Sequence, residues 1–166
     1  MLKKLTFIGI IFTIILGTIS HNVYPWSGNN FIAGLFFPVN ESIWEHMKIA
    51  FFPMLIYSFY MNKKLKKDYP CVTSALCSGI LLSTALVPVI FYTYSGILGY
   101  HTLILDIFTL IAAIIIAFAS IYKLTLSCSL NKYDVLLKTA VIITGILFFI
   151  FTIFPPELSL FISPTE

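Results

Sequence analysis

The chain contains no arginine, and only 10% of its 166 residues are charged. Soluble domains carry about a quarter charged residues, so an ordinary solvated surface is excluded. Arginine is the commonest reader of base edges, and its absence argues against a nucleic-acid ligand. Cysteine is scarce too, and Cys71, Cys77 and Cys128 form no C-x-x-C pair. That spacing gives no reason to expect a thiolate metal site or a disulfide, and the three read as small buried side chains. An internal repeat, a low-complexity linker and an H-E-x-x-H motif are likewise missing.

What fills the sequence is apolar: 59% of the residues are hydrophobic. They gather in five runs, Leu5–Ser20, Ile43–Met61, Val72–Tyr92, Thr102–Tyr122 and Val135–Phe154. Each approaches the ~20 residues a helix needs to cross about 30 Å of hydrocarbon. The expected fold is all-α, a polytopic membrane bundle of five transmembrane helices in a single domain, 1–166. The segment 31–37, FIAGLFF, is too short to span and reads as an interfacial or re-entrant piece between helices 1 and 2.

Lysine sets the expected orientation. Lys3, Lys4, Lys63, Lys64, Lys66, Lys67, Lys123, Lys132 and Lys138 fall on one side of such a bundle, and Lys48 alone on the other. The positive-inside rule then places the N-terminus in the cytoplasm and the C-terminus outside the cell membrane. A rival reading takes the first run as a secretory signal cleaved after Thr18-Ile19-Ser20, leaving His21 at the new N-terminus.

With this topology His21, His46 and His101 all lie at the outer end, together with Glu41, Glu45 and Glu157. Asp106 sits about one turn inside the fourth run. A carboxylate there costs several kcal/mol unless it meets a cation, a partner or water, and Lys48, a histidine or a metal are its expected partners. Ser42-Ile43-Trp44-Glu45 has the form of a capping box that starts a helix. If that helix began earlier, Glu41, Glu45 and Lys48 would share one stripe and His46 another. Glu45 and His46, about 100° apart, are not expected to grip one ion together. Trp26 and Trp44 join the outer face as aromatic candidates, and Pro53 and Pro88 are expected to open space between helices near mid-depth.

The segments HNVYPWSG (21–28) and PVNESIWEHMK (38–48) resemble a family of small bacterial membrane proteins known only as a domain of unknown function. The resemblance implies an integral membrane protein and carries no activity with it. The set of three His, Asp106 and outer serines such as Ser27 and Ser42 is also similar in chemistry to the alkaline-ceramidase-like zinc hydrolases. The chain lacks their paired His-x-x-x-His and has five runs where they have seven spans, so the likeness is one of chemistry only.

Three functions compete. In the first, His21, His46 and His101 hold zinc, leaving a fourth position for water, with Glu45 or Asp106 as the base in hydrolysis or transfer on a lipid-like substrate. In the second, Asp106 and the histidines relay an ion or proton through a small carrier or channel subunit. In the third, the outer aromatic surface binds a partner without catalysis.

Overall fold

The structure is a computed structural model and describes residues 1–163. Six helices follow one another: α1 Leu2–Trp26, α2 Phe31–Phe36, α3 Ile43–Leu65, α4 Val72–Leu98, α5 Leu103–Ser127 and α6 Asp134–Ile153. Short 3-10 turns cover Asn131–Tyr133 and Ser159–Phe161, and the described residues contain no strand. Local signals set several boundaries. Asn30 and Thr102 cap α2 and α5 with their side-chain oxygens, and Gly99, at φ 78°, ends α4 in the left-handed conformation that costs glycine nothing.

Four stretches are long and apolar enough to cross a membrane: Leu2–Trp26, Val72–Leu98, Leu103–Ser127 and Asn131–Ile153. The remaining long helix, α3, has the length but carries Glu45, Lys48, Asn62, Lys63 and Lys64. It tolerates Glu45 and Lys48 because it is the central helix, flanked by α1, α4 and α6 and buried along most of its length, while Lys63 and Lys64 lie exposed in its last turn. Side chains surrounded by protein, not hydrocarbon, can be polar if they find partners there. The five runs of the sequence are thus not equivalent: four apolar helices accompany one that is more polar and better buried.

Helix α1 belongs to the packed bundle. It runs unbroken through Thr18–Ser20, the expected cleavage site, and His21 lies inside it, not at its end. Gly17 rests on the backbone carbonyl of Ile49, the carbonyl that Pro53 leaves without its usual helical donor. Tyr57 donates from its hydroxyl to the Leu5 carbonyl at 2.6 Å. A methyl group at Gly9 would enter the van der Waals surface of both the Phe118 and Tyr57 rings. Gly9→Ala is therefore expected to lower stability by about 1–3 kcal/mol, the usual cost of overpacking, read as a drop in thermal midpoint in detergent.

One sequence expectation is overturned at the lysine-rich end. Cys71 and Cys128 are joined by a disulfide. Cys71 caps the start of α4 and Cys128 follows the end of α5, and these helices form an antiparallel pair. Their ends meet across 57 residues of sequence, a closeness that spacing alone does not reveal. Cys77 remains a free, half-buried thiol.

Candidate metal centre

The scarce ionisable groups of α1, of the start of α3 and of the start of α5 divide into three clusters. The first joins α1 to the start of α3. Glu41 Oε2 stands 3.4 Å from His21 Nε2 and 3.4 Å from His46 Nε2. Helix α3 begins at Ile43, so Glu41 lies in the loop before it. The expected stripe of Glu41 with Glu45 and Lys48 therefore does not form, and Glu41 turns to His46. Among the described residues these three present ligand atoms that all lie within 4.8 Å of one another.

The tautomer of His46 follows from its other nitrogen. Nδ1 is 3.0 Å from the Ser42 carbonyl, which can only accept, so Nδ1 carries the proton. In the neutral ring Nε2 then points a lone pair at the Glu41 carboxylate. Two acceptors face each other there, an arrangement that a cation between them would suit. Metal-binding histidines commonly use this backbone anchor to aim the ligating nitrogen. Glu41 is 65% exposed, and His21 and His46 are 36% and 25% exposed, so water can reach the cluster.

The second cluster lies just behind and is closed to solvent. Lys48 and Glu45 form a buried ion pair at 2.7 Å, with side chains 0% and 3% exposed. Glu45 Oε2 also accepts from the Val39 amide at 3.0 Å, and Oε1 accepts from Thr152 on α6 at 3.0 Å. Lys48 donates in addition to the Gly34 carbonyl of α2 at 2.9 Å. This network binds α2, the loop before α3, and α6 to the central helix. The capping box forms only in part: Ser42 accepts from the Glu45 amide, while Asn40, not Glu45, accepts from the Ser42 amide. The Glu45 carboxylate is spoken for by three groups, and the ion pair leaves Lys48 unavailable to Asp106.

Asp106 heads the third cluster. One carboxylate oxygen accepts from the Tyr94 hydroxyl, and the other lies 3.3 Å from His101 Nδ1. The first turn of α5 adds a favourable dipole for its charge. His101 Nε2 is buried and has no hydrogen-bond partner. His101 is thus engaged with Asp106 and is not among the three residues that converge; Glu41 stands with His21 and His46 instead. Trp44 is likewise turned inward against Phe148, Phe151 and Phe161, while Trp26 is exposed at the end of α1. Glu157 is exposed beyond α6. Sequence reasoning missed Tyr94 and Thr152 as partners, since neither belongs to a local motif and each depends on helix packing.

A helical bundle with four membrane-length apolar helices and a two-histidine, one-carboxylate cluster at one end is the class that fold and site define. The chain matches the family of unknown function DUF6512 over residues 1–165 and belongs to it. No curated protein and no solved structure matches it.

Proposed function

We propose that the protein is an integral membrane metalloprotein that holds one zinc ion through His21, Glu41 and His46 and uses it for hydrolysis or transfer on a lipid-like substrate. One observation carries this reading. A tetrahedral zinc ion with bonds of about 2.0–2.1 Å separates its ligand atoms by about 3.3–3.4 Å. The two Glu41–histidine separations, both 3.4 Å, match that edge. Two histidines and a glutamate also form the ligand set of catalytic zinc, with a fourth position left for water whose pKa falls to about 7. Exposure of the cluster supports delivery of that water. Asp106, hydrogen-bonded to His101, is the proposed carrier of the proton, and Glu45 the structural anion that holds the site in place.

The test is product formation. Protein stripped by chelator and reloaded with zinc is incubated with a bacterial lipid extract and followed by mass spectrometry. A product that depends on zinc and disappears in His46→Ala supports the reading; equal turnover by the stripped protein contradicts it. The carrier reading draws on Asp106 and the orphaned His101 nitrogen. It requires ion flux in liposomes that survives metal removal and is lost in Asp106→Asn.

The same proposal places five crossings in the membrane, with α3 inside the bundle, the lysine-rich end in the cytoplasm and the metal cluster outside. Nine lysines against one support this orientation. The Cys71–Cys128 disulfide at the lysine-rich end weighs the other way, because cytoplasmic disulfides are rare. In intact cells, a variant retaining only Cys128, the exposed member of the pair, is expected to react with a membrane-permeant maleimide and not with an impermeant one. Labelling by the impermeant reagent reverses the orientation.

A further inference from the structure

A groove of about 610 Å³ runs down the central helix between α1 and α6. Its walls include Leu16, Phe52, Ile56, Phe59, Ile142 and Phe149, with Phe36 and Phe37 of the α2 region beside them. Nearly all of the lining is apolar. The exception is Ser20, whose hydroxyl is already used by the Gly17 carbonyl. From Phe51 to Phe59 the α3 wall rises by eight residue steps, about 12 Å at 1.5 Å each. One leaflet contributes about 15 Å of hydrocarbon, half of a core about 30 Å thick. The groove thus has the depth of a single leaflet and the volume of a small-molecule site.

Its upper end adjoins the metal cluster. Ser20 precedes His21 in the chain, and Phe51 lies five residues, about 8 Å, below His46 on α3. Resting on the metal reading above, we infer that the groove seats one acyl chain of a phospholipid, with its anionic head group at His21, Glu41 and His46. Charge supports this occupant. A divalent ion with one glutamate and two neutral histidines leaves a net positive site, which favours an anionic head group in a partly dry setting. A water-soluble anion gains nothing from the apolar wall, and a neutral apolar ligand gains nothing from the cluster.

The test uses native mass spectrometry of the zinc-loaded full chain in non-ionic detergent, titrated with palmitoyl-lysophosphatidylglycerol. Zinc and lipid are counted in the same spectra. Gly145 lines the groove, and a Cβ added there meets the Phe51 ring at an ordinary 3.7 Å. Gly145→Trp and, independently, Ile142→Trp are expected to weaken lipid binding at least tenfold while one zinc stays bound. Zinc retention shows that the variants are folded. Equal lipid retention by wild type and both variants means annular lipid only and overturns the proposal. Lipid binding that is lost in the variants, from a wild-type chain that takes up no zinc, upholds the groove and overturns the metal reading.

Discussion

Replacing Lys48 by methionine is expected to lower stability by about 3–5 kcal/mol, the cost of leaving a buried carboxylate without its counter-charge. Glu45 is 2% exposed and cannot recruit water to replace the ammonium. Its remaining donors, the Val39 amide and the Thr152 hydroxyl, are neutral. The loss also frees the Gly34 carbonyl and with it the hold on α2. Removing both charges together, as Glu45→Leu with Lys48→Met, is expected to cost less than Lys48→Met alone, because no unpaired ion remains. Equilibrium unfolding of the three variants in detergent measures this order. A Lys48→Met cost below about 1 kcal/mol contradicts the buried pair.

The pair also bears on the metal centre. Val39 is held by Glu45, and Asn40 by the Ser42 amide, so the loop carrying Glu41 is fixed from both sides. Zinc affinity in Lys48→Met is accordingly expected to fall by about 10–100-fold, as when an outer partner of a ligand is lost. The proposed direct ligands are expected to have a larger effect. His46→Ala removes one of the three proposed ligands and, with it, a nitrogen aimed by a backbone carbonyl. Its zinc affinity, measured by competition with a chelating dye, is expected to fall at least a hundredfold. His101→Ala is expected to leave affinity within a fewfold of wild type, since His101 is engaged with Asp106. If His101→Ala loses zinc as His46→Ala does, the assignment of ligands is wrong.

Much of this was legible in the sequence because helix patterning is local. The apolar runs gave all five long helices, and the Ser42 signal gave the start of α3 within a residue. What sequence did not resolve was pairing. Glu41, Glu45 and His46 lie within six residues, yet a helix start between them sends Glu41 to His21 and His46, and Glu45 to Lys48. That Glu41 and not His101 converges with His21 and His46 depends on where α1 and α3 meet, and nothing in the spacing encodes that. The same holds for the disulfide, whose cysteines meet only because α4 and α5 pair antiparallel. Among the charged residues of α3, Glu45 and Lys48 are buried in the bundle, whereas Lys63 and Lys64 of its last turn are exposed.

Elemental analysis of the detergent-purified chain, prepared without chelator, tests the metal centre most directly. About one zinc per chain is expected, falling to background in Glu41→Ala as well as in His46→Ala. A folded wild-type protein that carries no zinc, and takes none up when dialysed against it, would contradict the proposed function at its root.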